Sequence, residues 1–256
     1  MHVKPTLVSI CSDFGDSDYR VSALKSRILG ANQPIELVDI SHQINSFDLV
    51  EAAFVISNAF IFFPAGSIHV VWVFNSGLDR GILLARYQNH YFILPDNGIL
   101  SLITGTDRPD KVYRISDDSF EFRDRIASAI RVLIGEEEAG LMYDECEDPI
   151  VRINVSPVYQ KDRIQARIAY VDHYGNLVLN IRQRPFEEVA GQKKFSFQTS
   201  SQQVISDFYI GETNAENGSF YSYFNHAGYM NLALCGGHAA NTLDLKREDI
   251  LQIVFE

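Results

Sequence analysis

Through about residue 135, short apolar runs alternate with stretches whose apolar positions recur every three or four residues, whereas beyond about residue 160 the runs follow one another with only turn residues between. Runs at 6–11 and 35–40 suit buried strands, and Val21, Leu24, Ile28 and Leu29 between them share one helical face, so the chain opens with a βαβ unit. A second helix is expected from Asp48, with Glu51 completing a capping box and Leu49, Ala52, Ala53, Ile56 and Phe60 buried; Pro64 closes it. Strands are expected at 68–74, 82–87 and 91–94, with turns at 75–77 and 88–90. Pro95-Asp96-Asn97-Gly98 breaks the sheet, a helix is expected at 126–134, and an acidic stretch from Glu136 leads through a linker ending near Pro157. Thereafter 164–172, 177–181, 194–197, 204–209, 219–224, 230–234 and 250–255 read as short strands of a small sandwich or barrel. The fold class expected is an α/β N-terminal domain, a mixed sheet flanked by helices over 1–158, plus a smaller, mostly-β, barrel-like C-terminal domain over 159–256.

Composition narrows the partners. The 256 residues are 46% hydrophobic and 21% charged, ordinary for a globular protein, and the net charge of −11 lacks the surplus of Lys and Arg that phosphate neutralisation requires. Nucleic acid is excluded as a partner and a small molecule expected. Cys11, Cys146 and Cys235 are widely spaced without any CxxC, so they read as buried thiols of a reducing compartment, neither disulfides nor a zinc site. The apolar run after the first five residues is too short for a signal peptide, and no run reaches the length of a membrane span, which points to a cytoplasmic protein without membrane contact.

Two strand ends carry candidate chemistry. The first runs into Ser12-Asp13-Phe14-Gly15-Asp16-Ser17-Asp18 and the second into Val171-Asp172-His173-Tyr174-Gly175-Asn176; each offers a carboxylate for ligand hydroxyls or an ammonium, an aromatic face, and a glycine that admits close backbone approach. Ordinary strand-to-turn junctions would look the same. Asp13, Asp16 and Asp18 also permit a magnesium cluster, although no glycine-rich phosphate loop accompanies them and Asp16 and Ser17 suit a helix cap.

The order of these motifs carries more than any one of them. Asp13-Phe14-Gly15 with Lys25 twelve residues past the Asp, Val38-Asp39-Ile40-Ser41-His42, Phe47-Asp48, Pro95-Asp96-Asn97-Gly98, Val171-Asp172-His173-Tyr174-Gly175-Asn176-Leu177, and a tail of Gly228-Tyr229-Met230-Asn231-Leu232 with Gly236-Gly237-His238-Ala239-Ala240 resemble the S-adenosyl-L-methionine hydroxide adenosyltransferase family, which includes the fluorinases and chlorinases. The resemblance spans nearly the whole chain. It implies a hydrolase forming adenosine and L-methionine by attack of water at C5′, with no cofactor, in a homotrimer whose sites lie between subunits.

Carried over residue by residue, the resemblance makes Asp13 the carboxylate on the ribose hydroxyls, Asp172 the acceptor of the methionine ammonium and Asn176 the reader of the adenine edge. Tyr174 stands where Phe is common, and His226 where Ser contacts the methionine end. Phe47 is either an adenine-stacking aromatic or a staple on its own helix. Asp18 and Asp96 fall near the family pocket, with capping and turn formation as equal explanations. The family's catalytic Asp falls on Phe74, or on Asn75 if the alignment slips by one, and Glu121 stands where the family has His; only Arg80 matches. Arg20 also departs from the Tyr or Ser of the family pocket. Glu121 fixed by Arg80 is the candidate relocated general base, the plain alternative being a surface charge at a strand end and a solvated arginine. A catalytically impaired protein that only binds adenosine or the sulfonium is the competing function.

Overall fold

The computed structural model describes residues 5–30, 34–73, 80–115, 121–135, 142–211 and 215–256. The chain divides into two compact units between Asn154 and Val155.

In the first unit, strands β1 (Thr6–Ser12), β2 (Ile35–Ser41), β3 (Ile68–Trp72), β4 (Ile82–Tyr87), β5 (His90–Pro95), β6 (Lys111–Ile115) and β7 (Asp144–Glu145) form a mixed sheet of order β2-β1-β3-β5-β4-β6-β7. The strands from β2 to β5 are parallel and the rest antiparallel. Alternation along the strands sorts side chains to two faces. Val8, Ile10, Val70, Ile82 and Leu84 pack with helices α1 (Tyr19–Leu29) and α4 (Phe122–Ile134), while Val71, Leu83, Ala85 and Tyr87 pack with α2 (Leu49–Ala59) and α3 (Ile99–Thr104). Leu24 and Ile56, one at the centre of each face, are fully buried, so truncating either to Ala costs about 2–5 kcal/mol.

The second unit is a mostly-β, barrel-like sheet. Strands β8 (Val158–Tyr159), β9 (Arg163–Val171), β10 (Leu177–Arg182), β11 (Phe195–Thr199), β12 (Val204–Ile205), β13 (Phe208–Ile210), β14 (Phe220–Phe224), β15 (Tyr229–Leu234) and β16 (Ile250–Phe255) follow the order β12-β11-β16-β9-β10-β15-β14-β13, with β8 also on β9. Helices α5 (Gln183–Ala190) and α6 (Ala239–Leu243) pack Phe186, Ala190, Ala239, Ala240 and Leu243 into its core.

Several elements differ from the pattern-based reading, each for a local reason. α3 was hidden because the Pro95–Gly98 break reads as a loop, yet Gly98, at φ +94°, starts a helix at once; β6, five residues long, was not expected either. α4 begins at Phe122, so Glu121 is a helix cap rather than a strand end. The run at 204–209 is two short strands separated at Ser206 and Asp207. The 88–90 turn is tighter than expected: Gln88 and Asn89 both take positive φ, as a two-residue hairpin requires, and His90 already belongs to the strand. Cys11 and Cys146 are buried, but Cys235 is only half-buried. Burial, with Glu51 and Asp13 nearby, pushes the Cys11 thiol up to about 12, which leaves it an inert core group. Among the described residues no helix is long and apolar enough to cross a membrane.

Candidate functional site

Asp13 follows β1 directly, at the carboxyl end of the parallel part of the sheet, where open α/β folds present ligand-binding loops. Its Oδ2 accepts a hydrogen bond from the Phe47 amide at 2.9 Å, and among the described residues its other oxygen accepts none. The half-exposed carboxylate keeps one edge for a ligand. Phe47 sits at φ +68°, a conformation costly for an aromatic residue, and is 58% exposed. With Ser46, Asp48, Leu49, Val50, Leu102, Arg152 and Ile153 it lines a hollow of about 330 Å3. That exposure favours a stacking face over a packed staple. Asp48 caps α2 through the Glu51 amide at 2.9 Å as expected, but the Glu51 carboxylate takes the Asn45 amide and Nδ2 instead of returning to Asp48. The capping box is half made, and its other half ties down the loop before Phe47.

Asp18, Asp16 and Asp96 have structural employment. Asp18 caps α1, accepting from the Arg20 amide at 2.8 Å and from its guanidinium through Nε and Nη2. The Arg20 side chain holds the Asp18 carboxyl down to about 2. Arg20 also lies 5.2 Å over the Phe14 ring. Asp16 is bound by Gln43 Nε2. The three carboxylates at 13, 16 and 18 therefore face different partners, and among the described residues no group of three His, Cys, Asp or Glu converges as a metal site would. The capping role expected of Asp16 or Ser17 belongs to Asp18. Asp96 is fully buried, accepting from Arg114 Nη1 and the Ile150 amide, each at 2.7 Å. It organises the fold beneath the strand ends.

Of the catalytic candidates, Asn75, like Phe74, lies outside the described residues. Arg80 Nη1 bonds Asp148 Oδ2 at 3.1 Å, and Glu121 pairs with Arg123 two residues on. Among the described residues no hydrogen bond joins Arg80 to Glu121, so each sits in its own exposed ion pair. Such pairs are worth about 0–1 kcal/mol and rearrange readily.

Sequence reasoning assigned no role to a line of side chains behind Asp13. Lys25 Nζ meets Asp39 Oδ2, Asp39 Oδ1 lies 3.1 Å from His42 Nε2, and His42 Nδ1 lies 2.7 Å from Ser12 Oγ. Burial works to raise the Asp39 carboxyl, but the bonds from Lys25 and His42 outweigh it and hold it low. A bulge explains the geometry: Ile10 pairs with Asp39 but Cys11 with Ser41, so the extra residue brings Asp39 and His42 to one side. The Asp39-Ile40-Ser41-His42 motif was visible in the sequence; the bulge was not.

In the second unit Asp172 follows β9 and is used by its own turn. Oδ1 accepts the Tyr174 amide at 3.0 Å and the Asn176 amide at 2.9 Å, and Oδ2 accepts Asn176 Nδ2 at 2.9 Å. A carboxylate offers about four acceptor sites, which leaves one for an ammonium group. Tyr174, 75% exposed, stands out from the turn. Gly175 takes φ +79° with the His238 ring pressed on it so closely that a Cβ would lie 2.1 Å from Nδ1. His226 lies exposed in the hairpin turn between β14 and β15; Arg182 donates to the carbonyl of Ala227 in the same turn, and its guanidinium covers the Tyr229 ring at 3.7 Å.

Comparison with known proteins matches both units. Residues 8–137 match the SAM hydroxide adenosyltransferase N-terminal domain and residues 166–252 its C-terminal domain. The chain is 23% identical to an (R)-S-adenosyl-L-methionine hydrolase of Methanocaldococcus jannaschii, covering 97% of this chain and 96% of that protein. It is 24% identical to one of Salinispora arenicola, covering 96% and 97% respectively. In fold it is similar to the crystal structure of an uncharacterized conserved protein from Thermotoga maritima, with a TM-score of 0.86 at 21% identity over 96% of this chain and 99% of that one. The two domain matches in order, over most of the chain, establish that this protein belongs to the SAM hydroxide adenosyltransferase family.

Proposed function

We propose that this protein hydrolyses S-adenosyl-L-methionine to adenosine and L-methionine. The observation that carries the reading is Asp13, a strand-end carboxylate steadied on one oxygen by the Phe47 amide and open on the other, beside an exposed aromatic. A vicinal diol is a natural ligand for it, each charge-assisted hydrogen bond contributing about 1.5–3 kcal/mol. Phe47 would take the adenine, Asp18 would border the ribose side, and Asp172, Tyr174, Asn176 and His226 would hold the methionine and adenine ends. The sites would lie between subunits of a homotrimer, as in the family resemblance.

The chemistry needs little from the protein. Water oxygen attacks C5′, the C5′–S bond breaks, its electron pair goes to sulfur, and the sulfonium leaves as neutral methionine; one proton is released. No cofactor or metal is required for this leaving group, so the task is to align and partly dehydrate the water. Glu121 would accept the proton, turning from Arg123 to Arg80 when ligand binds, and Asn75 would help orient the water. The present pairing of Arg80 with Asp148 and Glu121 with Arg123 is the observation that favours the second reading, a protein that binds the adenosyl group without turnover.

The test is to incubate the purified protein with both sulfonium epimers of the substrate, without metal or halide, and to quantify adenosine and methionine. Equimolar release above the uncatalysed background is expected, slowed about 10²–10⁴-fold in Glu121→Gln with binding retained. Tight binding without product would select the second reading, and full activity in Glu121→Gln would remove Glu121 as the base.

A further inference from the structure

His42 is nearly buried, and both ring nitrogens are engaged, Nδ1 by Ser12 Oγ at 2.7 Å and Nε2 by Asp39 Oδ1 at 3.1 Å. A carboxylate only accepts, so Nε2 carries a hydrogen, and Nδ1 shares the second hydrogen bond with the Ser12 hydroxyl. Ser, His and Asp in line invite comparison with a nucleophilic triad. Ser12, however, is wholly buried, with its hydroxyl held by the ring, and no substrate carbon can reach it. The line ends at backbone.

Where it ends is informative. Ser12 immediately precedes Asp13, and the Gly15 amide, two residues beyond Asp13, donates to the carbonyl of the same His42 at 2.7 Å. One residue thus fastens the chain on both sides of Asp13. Five residues past His42, the Phe47 amide fixes Asp13 Oδ2, so the 39–47 segment supplies three of the ties on this loop. Asp39 orients the ring from the outside and is itself gripped by Lys25 Nζ on α1.

We infer that His42 is a positioning residue for ligand recognition: held by Asp39 and Lys25, it clamps the loop from Ser12 to Gly15 so that the free edge of the Asp13 carboxylate faces a vicinal diol. The inference rests on the proposed reading of Asp13 as the ribose-binding group. It extends that reading by making diol selectivity depend on a buried histidine that never touches the ligand. It also gives Lys25 and Asp39, at the outer end of the line, an influence on recognition. Removing His42 should leave the carboxylate in place but let its direction wander, and only the contact that needs the direction should suffer.

The experiment compares two probes, adenosine and 2′,3′-dideoxyadenosine, titrated calorimetrically into the full-length protein. The parent is expected to prefer adenosine by about tenfold or more, the worth of a charge-assisted hydrogen bond to the diol. In His42→Ala adenosine should bind about tenfold more weakly and the dideoxynucleoside unchanged, because second-layer partners typically affect affinity on that scale. His42→Asn, which keeps an acceptor for Ser12, should recover part of the preference. An undiminished preference in His42→Ala, or equal weakening for both probes, overturns the inference and leaves the Asp13 reading standing. No preference in the parent overturns the Asp13 reading, and the inference with it. Should His42→Ala fail to fold, Asp39→Ala at the half-exposed end of the line decides the matter: a reduced preference supports the clamp and an unchanged one removes it.

Discussion

The loop after Thr6–Ser12 and the loop after Arg163–Val171 each begin with an aspartate one residue beyond a strand and contain a glycine at nearly the same backbone angle, φ +78° at Gly15 and +79° at Gly175. They are held by different forces. Asp172 is bound within its own five residues, by Tyr174 and Asn176. The loop at Asp13 depends on His42, Phe47 and Trp72, brought from other elements. A turn closed by local bonds needs little loop-closure entropy, whereas ties across about thirty residues or more exist only once the sheet has formed. The glycines differ as well: a Cβ on Gly15 would meet nothing, and one on Gly175 would run into His238.

Acid should separate the two units most strongly. His69 on β3 and His90 on β5 are buried and joined to each other at 3.1 Å, His69 is also joined to Ser9 at 2.6 Å, and burial together with the His90 charge holds His69 down to about 3. Burial lowers His90 also. Above the ordinary histidine value of 6.5 neither folded nor unfolded chain binds these protons, and stability is full. Between about 6.5 and about 3 the unfolded chain binds a proton that folded His69 refuses, so stability falls as pH falls, by about 3–5 kcal/mol in all. Among the described residues the second unit buries no histidine. Urea unfolding followed through Trp72, the single tryptophan, should therefore weaken from pH 7 to pH 4, and His69→Gln should flatten the trend. A pH-independent transition would count against the assigned burial.

Gly175→Ala comes next, since it combines positive-φ strain with a collision against an imidazole ring; about 2–4 kcal/mol of stability should be lost. Hydrogen exchange in β9 and β10 would show it, and unchanged protection would mean that the His238 ring gives way freely. Asp13→Ala should weaken adenosine binding about 10–100-fold without altering thermal unfolding beyond a degree or two. Loss of stability with binding intact would make Asp13 a structural group, like Asp96. The smallest effect is expected from Gly15→Ala, about 1 kcal/mol of backbone strain in open space. If it costs as much as Gly175→Ala, the contrast between the two loops fails.

How much of this could be read from residues alone follows the same division. The two-layer character of β1, α1 and β2 was legible because periodicity is local, and the cap at Asp48 because a short polar side chain before an apolar periodic run has few other uses; at α1 the cap fell on Asp18, just past the expected Asp16 and Ser17. α3, β6 and α5 were not legible. Each is short, with a Gly or Pro that normally marks a loop within two residues of its start, and its place in or against a sheet is what stabilises it. The family's motifs were visible in order, and with them Asp13, Asp172 and Asn176.

The sequence by itself determined the fold class, the family and the two strand-end carboxylates, because hydrophobic period and turn chemistry act over a few residues and survive without partners. Tertiary structure decided which carboxylates keep a free edge. Asp18 and Asp96 are consumed by Arg20 and Arg114, whereas Asp13 is spared because a bulge in β2 turns His42 toward Ser12 and the Phe47 amide takes one oxygen only. Arg20 lies only two residues from Asp18, but Arg114 lies eighteen residues from Asp96 and the ties at Asp13 span thirty or more, fixed by sheet order and register, so no local pattern contains the choice that spares Asp13.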